Sequence, residues 1–218
     1  MITIAPAIIP QSEVHLKKSL DSVSACARSL QIDIVDGRFV SAVSWPYLGD
    51  CVIADIQPLI APYEVEFDLM IEHPEDVCEA YVNIGASRIV VHLESVSDIE
   101  RIVAIKKIRD FKLGISVNND TDIAQLMKYR PYADYIQCMG IAHIGSQGNP
   151  FDERVISRVV FLREMYPELE ISVDGSVTMD TLPRLIEAGA TRFAVGSAIF
   201  SADNPCEIYQ KFLHGGTA

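Results

Sequence analysis

Eight short runs of apolar, often β-branched residues recur along the chain: Ile2–Ile9, Gln31–Val35, Glu64–Met70, Arg88–His92, Lys112–Val117, Asp134–Met139, Glu170–Val173 and Arg192–Val195. Turn-forming residues bound each run, the pattern of buried strands. Between them lie segments with helical spacing: Ser12–Leu30, Asp50–Leu59, Pro74–Ile84, Val96–Ile108, Asp120–Tyr129, Asp152–Met165, Met179–Ala188 and Pro205–Phe212. Pro74-Glu-Asp and Asp120-Thr-Asp put acids in a first helical turn, while Gly85 and Gly189 are stop signals. Strand and helix alternate eight times, which favours a parallel sheet with helical crossovers. Eight units close a (β/α)8 TIM barrel, expected here as one domain over residues 1–218. A doubly wound open sheet competes for the same pattern.

In a barrel, the C-terminal strand ends meet at one mouth. Strand phase then selects the chemistry. Gln31 and Asp33 share a face, as do Glu66 and Asp68, and Ser172 and Asp174. The residues between them (Ile32, Phe67, Val173) are apolar and suit the helix-facing side. Three inward polar sets at equivalent positions point to a site. Each acid alone also fits a helix cap or an ion-pair partner. Asp36, followed by Gly37, is as well suited to a turn as to catalysis.

Glycines supply a second set. Gly175-Ser176 follows the seventh strand and Gly196-Ser197 the eighth, where barrels frequently bind phosphate through backbone N–H groups. Gly145 and Ser146, in the loop after the sixth strand, are placed to fold over the same anion. Met70 and Met139 end strands, and a thioether suits a pocket lip as well as a core. His92 also ends a strand, as a mouth residue or a satisfied core histidine. His143 lies in the loop after the sixth strand, as a ligand contact.

Composition narrows the partners. The 218 residues carry a formal net charge of −12 and are 49% hydrophobic. Without a Lys/Arg stripe, such a surface excludes nucleic acid and disfavours an anionic membrane. Five scattered cysteines argue against a disulfide framework and a thiolate zinc site. No signal-peptide pattern and no membrane-length apolar run is present, so a soluble cytoplasmic setting is expected. A homo-oligomer is left open; no patch marks an interface.

The chain resembles the ribulose-phosphate 3-epimerase family over nearly its whole length. The matching stretches are Ala5-Pro-Ala-Ile-Ile, Ile32-Asp-Ile-Val-Asp-Gly-Arg-Phe-Val40, Asp68-Leu-Met-Ile-Glu-His-Pro-Glu75, Gly85-Ala, Val91-His92, Val173-Asp-Gly-Ser176 and Val195-Gly-Ser-Ala-Ile-Phe200. The resemblance implies an eight-unit barrel and a small phosphorylated sugar as ligand. It also implies two aspartates, at Asp33 and Asp174 here, that exchange a proton at C3 of ribulose 5-phosphate. In that family an enediolate is stabilised by a divalent metal held by two aspartates and two histidines. The family's histidines are replaced by Gln31 and Asp68, and its serine after the first strand by Ala7. The loop after the sixth strand is also its own, Ala142-His-Ile-Gly-Ser-Gln-Gly148.

The surviving set, Gln31, Asp33, Asp68 and Asp174, is all oxygen. It suits Mn²⁺ or Mg²⁺ better than zinc or iron. If no metal is bound, at least one of three close carboxylates must rise in pKa. The expectation is a sugar-phosphate epimerase with an altered metal site. The alternatives are a silent barrel that binds a phosphorylated ligand, and the same pocket turned to another reaction.

Overall fold

In the computed structural model, which describes residues 2–47 and 53–215, eight parallel strands close on themselves in sequence order. They are β1 (Thr3–Ile8), β2 (Ser29–Val35), β3 (Glu64–Met70), β4 (Ala86–His92), β5 (Lys112–Val117), β6 (Tyr135–Met139), β7 (Glu170–Asp174) and β8 (Arg192–Val195). The β1–β8 pairing, Thr3 opposite Arg192 through Pro6 opposite Val195, completes the ring and excludes the open sheet. The helices are α1 (Glu13–Val23), α2 (Gln57–Ile60), α3 (Cys78–Asn83), α4 (Ile99–Lys106), α5 (Ile123–Tyr129), α6 (Arg154–Met165), α7 (Leu182–Ala188), α8 (Ser197–Phe200) and α9 (Pro205–Gly215).

Alternation along each strand divides the core. Ile32, Ile34, Phe67, Leu69, Ile89, Val91, Ile136, Cys138, Ile171 and Val173 are buried in the hydrophobic core cluster, in the opposite strand phase to the polar set. Gln31, Glu66, Asp68, His92, Ser116, Gln137 and Ser172 are all fully buried on the inner face. The barrel interior is therefore polar along much of its length.

Helices are shorter than the apolar spacing predicts, because capping side chains choose their starts. Asp98 accepts from the N–H of Glu100, so α4 begins at Ile99 and not at Val96. Asp122 does the same for Ala124, moving α5 from Asp120 to Ile123. The expected Ser12–Leu30 helix ends at Val23, and Ser29–Leu30 already belong to β2. Of the expected Asp50–Leu59 helix, Asp50, Cys51 and Val52 lie outside the described residues; the remainder is a 3-10 turn (Ile53–Ile56) leading into α2. Among the described residues no helix is long and apolar enough to cross a membrane.

One expectation is overturned. Cys26, just past α1, is disulfide-bonded to Cys206 in α9, with the Cα atoms 5.7 Å apart. Their 180-residue separation hides the pairing from any local spacing rule. The fold brings them together by setting the last helix beside the first. Cys78 and Cys138 are free and buried.

Candidate active site

Three strands deliver the acids. Asp33 and Asp68 are direct register partners on β2 and β3, and Asp174 ends β7 opposite Met139. Inward phase and barrel closure bring one carboxylate oxygen of each within 4.8 Å of the others. Asp33 and Asp68 are buried; Asp174 is partly exposed at the pocket floor. Gln31 holds the pair that faces the pocket. Its Nε2 donates to Asp33 Oδ1 and to Asp174 Oδ2, at 2.9 Å each.

Asp68 is held from the other side. Gln137 Nε2 donates to one oxygen at 2.7 Å, and His92 Nε2 lies 3.0 Å from the other. His92 is itself fully buried, with the Phe39 ring packed on it at a centroid distance of 5.5 Å.

The electrostatics follow from this packing. Burial, followed by repulsion from Asp174 and Asp68, holds the Asp33 carboxyl well above its ordinary value. Burial and the Asp68 charge push Asp174 up to about 7, with Gln31 and His92 pulling the other way. For His92, burial alone would lower the value. The charge and hydrogen bond of Asp68 outweigh it and raise the imidazole. The site thus sets two carboxyls of raised pKa beside an imidazole whose pKa is also raised.

Above the acids opens a cavity of about 190 Å³. Asp33, Asp174, Ala7, Met70 and Met139 line it, as do all six glycine and serine positions expected at the anion site: Gly145, Ser146, Gly175, Ser176, Gly196 and Ser197. Gly175 and Ser176 both have positive φ, +100° and +50°, a pair that turns successive N–H groups toward one side. Ser197 begins α8, and the first N–H groups of a helix have no partner inside it. Ser176 Oγ donates to the Asn149 carbonyl, tying the loop after β7 to the loop after β6.

Some expected residues fall elsewhere. His92 does not line the cavity; it stands behind Asp68. His143 is exposed on the loop after β6 and does not line the cavity either. Glu66 shares the inner face with Asp68 but sits deeper. There its Oε2 accepts from Arg88 Nε at 2.8 Å and from Tyr135 OH at 2.6 Å. Burial would raise its pKa, but Arg192 and Arg88 bring it below the ordinary value. Asp36 is a turn residue: Oδ1 accepts the N–H groups of Arg38 and Phe39, and Oδ2 that of Glu72.

Two glutamines were not expected. Gln137 is a lone amide in an apolar strand, and only its inward phase gave a signal. Gln147 reaches from the loop after β6 toward the Ala7 carbonyl, at 3.4 Å. It lies so close that a Cβ on Gly196 would stand 2.5 Å from its Nε2. That contact confines Gly196 to glycine unless the glutamine moves.

A family model described as the ribulose-phosphate 3 epimerase family matches residues 3–200. The chain belongs to that family. Ribulose-phosphate 3-epimerase of Aquifex aeolicus is 32% identical over 207 residues, covering 93% of this chain and 91% of the relative. The enzyme of the same name from Eremothecium gossypii is 29% identical over 210 residues, covering 91% and 86%. Solved barrels share the fold at lower identity. 3-Hexulose-6-phosphate synthase from Salmonella typhimurium superimposes with a TM-score of 0.74 at 16% identity, covering 99% of both chains. KGPDC from Streptococcus mutans gives 0.75 at 15% identity, covering 99% of this chain and 97% of its own.

Proposed function

We propose that this family member epimerises a ketose phosphate at C3, interconverting D-ribulose 5-phosphate and D-xylulose 5-phosphate, with Asp33 and Asp174 as the acid–base pair. The observation that carries the reading is the Gln31 bridge. One amide holds two aspartates of raised pKa side by side, directly beneath a cavity lined with glycine and serine backbone. Gly145, Ser146, Gly175, Ser176, Gly196 and Ser197 bind the phosphate. The sugar then extends down to the acids, with C3 between Asp33 and Asp174.

One carboxylate removes the C3 proton. The C3–H electron pair moves into the C2–C3 bond, and the C2 carbonyl oxygen takes the negative charge. The other acid, protonated beforehand, returns its proton to C3 from the opposite face. The two roles need opposite protonation states near neutral pH, where a raised pKa is useful. Met70 and Met139 give the lip of the pocket an apolar surface that excludes water.

The donor set fits a hard divalent cation. Asp33, Asp68 and Asp174 offer oxygens within 4.8 Å of one another, and Gln31, whose Nε2 faces two of them here, has an Oε1 with no partner among the described residues that would face them once the amide turned over. These four residues would hold Mn²⁺ or Mg²⁺ in preference to zinc. Such an ion supplies positive charge beside the oxygen that becomes anionic. His92 and Gln137 keep Asp68 aimed into the cluster.

The decisive experiment is incubation with D-ribulose 5-phosphate and Mn²⁺ in deuterated water, followed by NMR. Deuterium at C3 with appearance of the epimer is expected. No exchange at C3 removes the proposal. A second reading, a phosphorylated-ligand binder without turnover, is favoured by the Gln31 amide, whose donor nitrogen stands between the acids. Thermal stabilisation by the sugar phosphate without any exchange would support it.

A further inference from the structure

Below the acid cluster lies a layer of polar atoms that the proposed proton transfer does not use. Five of them have no hydrogen-bond partner among the described residues: Gln31 Oε1, Glu66 Oε1, Gln137 Oε1, Ser172 Oγ and Arg192 Nε. Gln31, Glu66, Gln137 and Ser172 are fully buried, and Arg192 is 4% exposed. All five project into the barrel. Gln31 reaches Asp174 across it, Gln137 reaches Asp68, and Arg192 Nε comes within 3.4 Å of Glu66 Oε2 without hydrogen-bond geometry. Ser172 shares the inward phase of Asp174 and is in register with Gln137 on one side and Arg192 on the other. Gln31 is in register with Glu66.

Buried polar atoms in folded proteins are almost always satisfied, and a charged oxygen is the costliest to leave bare. Glu66 makes the case sharpest. Its Oε2 takes bonds from Arg88 and Tyr135, while Oε1 takes none. Three acceptor oxygens, one hydroxyl and one N–H facing a common interior call for a small molecule that both donates and accepts.

We propose that this layer is an internal water site, holding about two ordered molecules at roughly three hydrogen bonds each. The water bridges Glu66 and Ser172 to the two glutamines. By donating to Gln31 Oε1, it keeps that amide oriented with Nε2 between Asp33 and Asp174. A monovalent cation is the poorer occupant, because the guanidiniums of Arg88 and Arg192 already balance the charges of Glu66 and Glu170 and leave no negative charge over for it. For Gln31 to present Oε1 to a divalent ion among the acids, it must release this water. The site does not depend on the epimerase reading, since no step of that chemistry enters its derivation.

The test is a high-resolution crystal structure of the full chain grown with rubidium chloride, without divalent metal. Expected are density peaks about 2.7–3.2 Å from at least two of the five atoms, with no rubidium anomalous signal among them. A rubidium peak there overturns the proposal. So does a dry interior in which the five groups bond to one another. In Ser172→Ala, the peak nearest residue 172 is expected to vanish; unchanged peaks would also count against the proposal. If that variant does not fold, the wild-type crystal alone decides.

Discussion

Replacing Gln31 with leucine removes both amide bonds to the acid pair while keeping similar bulk. Hydrogen bonds to ionised groups contribute about 1.5–3 kcal/mol each, and a neutral amide donor belongs near the lower figure. Each aspartate then loses roughly 1.5 kcal/mol of stabilisation of its charged form, or about one pKa unit. Gln31 lowers both values at present, so both move up, Asp174 from about 7 toward about 8. At about pH 7.5 the ionised fraction of such a group falls from roughly three-quarters to roughly one-quarter, about threefold. Loss of positioning adds about tenfold to a hundredfold, since a displacement of about 1 Å can cost that much. The expected result in Gln31→Leu is a kcat/KM about 30- to 300-fold lower, with the acidic limb of the pH–rate profile displaced alkaline by about one unit. The assay is C3 deuterium exchange on D-ribulose 5-phosphate across a pH series, with circular dichroism melts to show that the variant folds. An unchanged profile, with activity within about threefold of wild type, would refute the bridging role.

The other predictions are more direct. Asp33→Asn and Asp174→Asn should each lower C3 exchange by at least about 10³-fold while leaving phosphate-dependent thermal stabilisation in place, since each changes one side-chain atom and leaves the backbone N–H groups of the glycine cradle where they are; loss of ligand stabilisation in both would argue against separate roles. Stability should fall as pH rises from about 4 to about 7, by up to about 1.4 kcal/mol per unit from Asp174 alone, because in the folded chain it retains a proton that the unfolded chain has released, and Asp33 adds a loss of the same sign. His92 acts in the same direction: its raised value favours the folded state at low pH, and that contribution is lost as pH rises past it. Urea melts at two pH values without divalent metal measure this, and stability rising over the window would contradict it. Reduction of the Cys26–Cys206 bond should cost about 2–5 kcal/mol and lower the melting midpoint by roughly 5–15 °C. Melts with and without dithiothreitol check this, and identical midpoints would exclude the bond.

The barrel was legible because its strands are continuous apolar runs of the right length, broken by turn residues. The acid cluster was legible for a related reason: a period of two fixes which face Asp33, Asp68 and Asp174 share, and closure does the rest. What stayed hidden depends on depth and on distance along the chain. Phase alone puts Glu66 beside Asp68; it does not say that Arg88, Arg192 and Tyr135 meet Glu66 one layer lower. His92 and Gln137 look like isolated polar residues until Asp68 is seen to need two donors. Helix starts depended on Asp98 and Asp122 winning a capping contest against neighbouring acids. No periodicity links Cys26 to Cys206.

That last bond changes what the ends of the polypeptide can do. A barrel closed only by its β1–β8 ladder could fray from either terminus, since each edge strand lies near one end. Joined from Cys26, just past α1, to Cys206 in α9, the backbone becomes a lasso enclosing β2 to β8, and the start of α9 stays beside the end of α1 even if β1 lets go. A single proteolytic cut in a loop between residues 26 and 206 would leave both fragments covalently attached until a reductant frees them.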